Sequence, residues 1–308
     1  MVMDYGNHAH TKMKIKGVPH KRILPEGIGL VLEGGGARTY YSAGIFEAFM
    51  EAGIMFPYII GVSAGIANAL TYVAGQRGRN RIIAEQFVQK KEYYSLRNLL
   101  KLGSVFDFDY IFNDIPEALV HFDREIFEST DIRFLTGAFD CVTGDTIWFE
   151  KHDVKPGFHV TRASCSVPLI SRVVKHNGYE LLDGGIAVPI PIEKSIEDGN
   201  DFHVIILTYN EGYISTPYRP TAILKPIYKK YPKLSEMAMR RHELYNKQLA
   251  LCEQLERDGK AIILRPKRPM EVTMLETDPE KLLDLYDEGH TDGKEAVNWL
   301  EDYLGTVK

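Results

Sequence analysis

Two strand–turn–helix units near the start of the chain constrain its fold more than any other feature. The apolar run Ile28–Leu32 leads into Gly34-Gly35-Gly36-Ala37-Arg38, and Tyr58-Ile59-Ile60 leads into Gly61-Val62-Ser63-Ala64-Gly65. Short continuous apolar runs bounded by glycine read as buried strands. A helical pattern follows each turn. Ala43, Phe46, Ala48, Phe49 and Met50 give residues 39–52 an apolar face that stops at Gly53, and residues 64–74 stop at Gly75. Strand, helix, strand, helix with short turns implies an α/β fold, a parallel sheet with helices on both faces.

The two turns carry chemistry as well as topology. A serine at the centre of Gly61-x-Ser63-x-Gly65 projects its hydroxyl from the top of a sheet, at the head of a helix whose dipole favours negative charge. The bland alternative is a glycine-lined packing contact between helix and sheet. The turn at 34–36 offers free backbone N–H groups, as an oxyanion or a phosphate needs. A dinucleotide loop fits poorly, because Gly27 and Gly29 fall before or within the strand and no Asp or Glu ends the second strand. A Walker loop would need Gly-Lys-Ser/Thr, which is absent. Adjacent parallel strands would set the two turns side by side, which favours an oxyanion hole next to Ser63. Arg38, at the head of the following helix, either braces the loop, attracts an anionic substrate group, or is a surface arginine paired with an acid.

A serine nucleophile needs a base. His203 opens an apolar strand, His242 sits in a charged helix and His290 in a polar segment, so none has a catalytic loop setting. Asp183 does. It ends a short β segment, and Gly184-Gly185 permit a turn that aims it outward, although an ordinary Asp-Gly turn looks the same. Aspartate in water, with a pKa of about 3.9, is a weak base, so Asp183 needs short hydrogen-bond range and a partly desolvated site. Together the three motifs point to a serine acyl hydrolase.

Composition narrows the other classes. A net charge of −5 with no basic stripe argues against a nucleic-acid partner and leaves lipid substrates and peripheral membrane contact open. Cys141, Cys165 and Cys252, widely spaced, fit reduced thiols in the cytoplasm and neither a disulfide framework nor a zinc site. Residues 1–25 lack the apolar stretch of a secretory signal and read as a flexible N-terminal tail. His8 and His10 there could chelate a metal in principle but read as part of that tail. No run of about 18 apolar residues suggests a membrane span.

Further along, residues 79–122 are helical and aromatic, and 134–142 and 146–150 form a hairpin-like pair around Thr143-Gly144-Asp145. Residues 203–207 are a continuous apolar strand of the kind found inside parallel sheets. Residues 224–258 read as a helical excursion from one domain spanning 26–308, because a core-type strand follows at 261–266 before a closing helix over 278–303. A separate helical C-terminal domain is the alternative. The aromatics at 93–112 read first as core and second as the wall or cover of an acyl-chain site.

These residues resemble the bacterial patatin-like phospholipases. The likeness rests on Gly-Gly-Gly-Ala-Arg at 34–38, Gly-Val-Ser-Ala-Gly at 61–65, Asp-Gly-Gly at 183–185 and Arg162-Ala163-Ser164-Cys165-Ser166-Val167-Pro168. It runs from about residue 27 to 210, and the part with Ile263-Leu264-Arg265-Pro266 and Asp278-Pro279 is similar to an extension found in one bacterial branch. The resemblance implies a three-layer patatin-like fold with a mostly parallel sheet, and a Ser-Asp dyad in place of a triad. It assigns Ser63 as nucleophile, Asp183 as base, and the amides of Gly34, Gly35 and Gly36 with Arg38 as the oxyanion site. It also implies phospholipids, lysophospholipids or other fatty-acyl esters as substrates, with no metal or organic cofactor. Thr39 departs from the family pattern, which usually has glycine there, and suggests a narrowed or shifted loop. An idle scaffold that binds lipid or a protein partner is the rival expectation.

Overall fold

The computed structural model describes residues 12–217 and 221–306. Its strands, in chain order, are β1 (Arg22–Ile23), β2 (Ile28–Leu32), β3 (Ile54–Met55), β4 (Tyr58–Val62), β5 (Arg133–Asp140), β6 (Thr146–Phe149), β7 (Val174–His176), β8 (Tyr179–Asp183), β9 (Phe202–Ile206) and β10 (Ala261–Leu264). The α-helices are α1 (Tyr40–Ala52), α2 (Ser63–Val73), α3 (Arg79–Gln86), α4 (Leu96–Leu102), α5 (Arg124–Ser129), α6 (His159–Ser164), α7 (Ile192–Glu197), α8 (Thr221–Ile227), α9 (Pro232–Arg257) and α10 (Pro279–Thr306).

Eight strands form one sheet in the order β10-β9-β2-β4-β5-β8-β7, with β6 on the far edge of β5. The pairings from β10 to β5 are parallel, and β6, β7 and β8 join antiparallel. Strands buried on both faces must be apolar on both, and β2, β4 and β9 are buried at every position. Alternate side chains then serve two cores. Leu30, Leu32, Ile59, Val204 and Ile206 pack on the side of α1, α2 and α10. Val31, Ile60, Leu135 and Ile205 pack on the side of α7 and α9. The result is a three-layer α/β fold with a mostly parallel sheet.

Residues 12–25 do not match the flexible tail expected from their polarity. The Gly17 N–H donates to Asp123 Oδ2 at 2.9 Å, and Gln76 Nε2 donates to the Ile15 carbonyl at 2.7 Å. β1 pairs in parallel with β3, and Leu24 is buried. Backbone hydrogen bonding to a preformed surface needs no apolar periodicity, so the sequence carries little sign of it. His8 and His10 lie outside the described residues. The helical stretch expected at 224–258 corresponds to α8 and α9, after which β10 pairs with β9 in the main sheet.

One register detail places the site. Val62 of β4 stands opposite Gly137, and Asp183 of β8 stands opposite Ala138, while β6 occupies the other edge of β5. β4 and β8 therefore lie end to end along one edge of β5. Because β4 is parallel and β8 antiparallel to it, their C-terminal ends meet.

Candidate active site

Ser63 begins α2 at that meeting point, with φ at 55°, a left-handed conformation that non-glycine residues rarely adopt. Such a sharp strand-to-helix turn brings backbone close on either side. A Cβ on Gly65 would collide with the Glu33 carbonyl oxygen, so glycine there reflects contact, not flexibility. The Ser63 hydroxyl donates to Asp183 Oδ2 at 2.7 Å, and the other carboxylate oxygen accepts the Gly185 N–H at 2.8 Å.

Asp183 is 5% exposed. Burial pushes its pKa up to about 6, opposed by the hydrogen bonds from Ser63 and Gly185 and by the charge of Arg241. A carboxylate in that range accepts a serine proton far more readily than a free aspartate.

The block 162–168 supports both partners in a way that residue order alone did not show. Ser164 Oγ accepts the Ser63 N–H at 2.8 Å and donates to the Gly137 carbonyl at 2.6 Å. The Asp183 N–H donates to the Ser166 carbonyl at 2.9 Å. The end of α6 and the two residues after it thus tie Ser63 and Asp183 to a common frame.

The glycine loop sits beside Ser63 because β2 and β4 are neighbours. Its amides are not equivalent. Gly34 N–H donates to the Pro189 carbonyl at 3.3 Å and Ala37 N–H to the Met274 carbonyl at 3.0 Å. The Gly35 and Gly36 amides have no protein acceptor among the described residues. Gly36, with φ at 57°, lines the cavity together with Ser63 and Ala64. The Ala64 amide belongs to the first turn of α2, whose donors a helix cannot satisfy internally.

Arg38 is placed differently from its expected companions. Its guanidinium lies over the Tyr209 ring at 4.4 Å and its charge acts on the buried Glu33, whose carboxylate accepts the Thr208 N–H at 2.6 Å. It is not a lining residue of the Ser63 cavity, and it braces the loop from behind. Thr39 does the same from the other side. Its hydroxyl donates to the Gly36 carbonyl at 2.6 Å and accepts from Asn68 Nδ2 at 2.9 Å.

Ser63 opens onto a cavity of about 160 Å³. Its deep wall is aromatic and aliphatic, including Tyr93, Phe106, Phe108, Ile111 and Phe112. The 93–112 region, read first as core, therefore also forms the wall of the cavity. His203, His242 and His290 do not line it. His203 Nδ1 instead lies 3.1 Å from the Ser195 hydroxyl, and His290 pairs with Glu51.

Two contributions come from the C-terminal part of the chain. Residues 274–277 form part of the cavity wall, and the Met274 carbonyl approaches Gly36 so closely that a Cβ there would collide with it. Arg241 of α9 donates from Nε to the Gly185 carbonyl at 2.8 Å. Nothing in the local pattern marks either residue, since each acts across a long stretch of chain. Among the described residues, no group of three or more His, Cys, Asp or Glu side chains converges on a metal position, and no helix is long and apolar enough to cross a membrane.

The profile of a family described as "Patatin-like phospholipase" matches residues 30–194, and that of a domain of unknown function (DUF6363) matches residues 231–305. "Uncharacterized protein YjjU" of Escherichia coli (strain K12) is 26% identical over 207 residues, covering 63% of this chain and 55% of the relative. "Lysophospholipase nte1" of Emericella nidulans is 27% identical over 173 residues, covering 54% of this chain and 11% of that protein. Among solved structures, VipD from Legionella pneumophila superposes with a TM-score of 0.41 at 11% identity, covering 92% of this chain and 67% of that one. The chain spans about half, or less, of the length of these curated relatives. With more than half of its residues matched by the family profile and its glycine turns and serine assembled at one sheet edge, the chain belongs to the patatin-like phospholipase family.

Proposed function

We propose that this chain is a serine lipid acyl hydrolase working through a Ser63–Asp183 dyad. The observation that carries the reading is the 2.7 Å hydrogen bond from the Ser63 hydroxyl to a buried carboxylate, next to an apolar cavity. Ser63 Oγ attacks the ester carbonyl carbon while its proton passes to Asp183 Oδ2. The oxyanion forms against the uncommitted amides of Gly35 and Gly36, with Ala64 as a further donor. Collapse of the tetrahedral intermediate expels the alcohol, which takes the proton from Asp183, and leaves the acyl group on Ser63. A water molecule then gives a proton to Asp183 and attacks the acyl enzyme, and collapse of that second intermediate returns the proton from Asp183 to Ser63 Oγ as the fatty acid leaves. None of these steps calls on a metal or an organic cofactor.

The aromatic wall suits one fatty-acyl chain, so phospholipids, lysophospholipids and other fatty-acyl esters are the substrate class. A cytoplasmic location, peripheral to the inner face of the membrane, accords with the three free cysteines.

Labelling by a fluorescent fluorophosphonate tests the dyad. The parent protein should label, Ser63→Ala should not label at all, and Asp183→Asn should label at least tenfold more slowly, on the order expected for loss of a general base. A folded parent that never labels would favour the idle scaffold, and labelling that survives Ser63→Ala would put the nucleophile elsewhere.

A further inference from the structure

Helix α4 carries a surface that the chemistry at Ser63 leaves unused. Leu96 and Leu100 are 71% and 89% exposed, and their four-residue spacing puts them on one outward face. Leu102 is exposed as well. The helix is nonetheless firmly held from its buried side. Ser95 caps it by accepting the Asn98 N–H, and the Asn98 side chain donates to the carbonyls of Lys91, Glu92 and Val105.

The charges on this helix and its approach are mostly of one sign. Lys91, Arg97 and Lys101 belong to the helix and its approach, and Arg172 lies against Gly103 at the helix end. None of these cations has a carboxylate partner among the described residues. Glu92 is the acid of the helix approach and, with Asp114, acts on Tyr110, while Asp107 and Asp109 follow the Tyr94–Phe106 pair on the cavity side. The segments flanking α4 pair through Tyr94 and Phe106, and both residues line the Ser63 cavity. The helix therefore springs from, and returns to, the cavity wall.

We propose that α4 is a membrane-docking helix that seats the protein on an anionic lipid surface beside the cavity. Exposed leucines enter the acyl boundary while unpaired cations meet lipid phosphates, so a bilayer answers both halves of the pattern at once. The proposal rests on the acyl-hydrolase reading for its purpose, because docking at this face brings substrate acyl chains next to Tyr94 and Phe106.

Docking and chemistry can be measured apart. The Ser63→Ala protein is floated with vesicles of phosphatidylcholine alone and of phosphatidylcholine mixed with phosphatidylglycerol, with and without Leu96→Ser/Leu100→Ser or Arg97→Glu/Lys101→Glu. Each pair should lower binding to the mixed vesicles by roughly tenfold or more, and the phosphatidylcholine vesicles should bind least. In the Ser63-intact background the same pairs should leave turnover of a water-soluble short-chain ester unchanged, which also shows that they fold. Equal vesicle binding by all variants overturns the docking helix and leaves the hydrolase reading intact. Vesicle binding that depends on α4, with no ester turnover and no fluorophosphonate labelling, keeps the docking helix and removes the hydrolase. A dimer in sedimentation velocity that disappears with Leu96→Ser/Leu100→Ser assigns the face to a second copy of the chain and overturns the proposal.

Discussion

The two halves of the cavity are built on different principles. The half around Ser63 is made of backbone. Gly65 touches a carbonyl, Gly36 faces Met274, and the Ser63 hydroxyl and Asp183 carboxylate beside them are held by short hydrogen bonds. The far half is made of rings. Phe106 stacks on Phe108 with centroids 5.9 Å apart, Phe108 meets Phe112 at 5.8 Å, and Phe112 meets Phe158 at 6.1 Å. Backbone contacts have almost no freedom to adjust, whereas ring contacts tolerate changes of volume at a graded cost. The first half should therefore decide whether the chain reacts, and the second which acyl chain it accepts.

The largest effect should come from breaking the backbone half. Gly65→Ala places a methyl against the Glu33 carbonyl and should cost about 3 kcal/mol or more of stability, together with most fluorophosphonate labelling. Urea unfolding and labelling of the soluble fraction measure both. Wild-type stability with full labelling would show that the elbow is looser than its contacts imply.

A smaller, more informative effect concerns the charge on Asp183. Only the ionised carboxylate accepts the serine proton, so turnover of a soluble ester should rise as pH increases through about 6. Arg241 holds that carboxylate down by its positive charge and braces Gly185. Arg241→Gln should move the midpoint of the pH–rate profile upward, and Arg241→Lys should bring it part of the way back. An unchanged midpoint with a uniformly lower rate would reduce Arg241 to packing.

The smallest change in chemistry, and the sharpest in selectivity, should follow a change in the ring half. Phe106→Asp should lower kcat/KM for long-chain esters by roughly tenfold to a hundredfold, from the lost apolar contact, with little effect on short-chain esters. Equal losses for both chain lengths would mean that the acyl group lies elsewhere.

Much of this site was readable from local pattern. A buried strand next to a glycine turn and a helix is a short-range signal, and β2, β4, α1 and α2 follow it closely. The glycine loop was readable as a unit but not in its parts, because the partners that occupy Gly34 and Ala37, Pro189 and Met274, are remote in sequence. Residues 12–25 depart from a flexible tail for a related reason. Their hold on the domain is by backbone and side-chain hydrogen bonds and by the scattered apolar anchors Met13, Ile15 and Leu24, which leave no periodic trace.

The sheet-forming runs, the two glycine turns and the candidate pair Ser63 and Asp183 are legible in the residues alone, since each depends on neighbours a few residues away. Only the tertiary structure decided that these two side chains meet, because the meeting requires β4 and β8 to approach from opposite directions along one edge of β5. It alone also decided the role of Ser164, the turning of Arg38 onto Tyr209, and the part played by Arg241 and Met274. The raised pKa of Asp183 belongs there too. Desolvation depends on everything packed around a group, and no single stretch of chain encodes it.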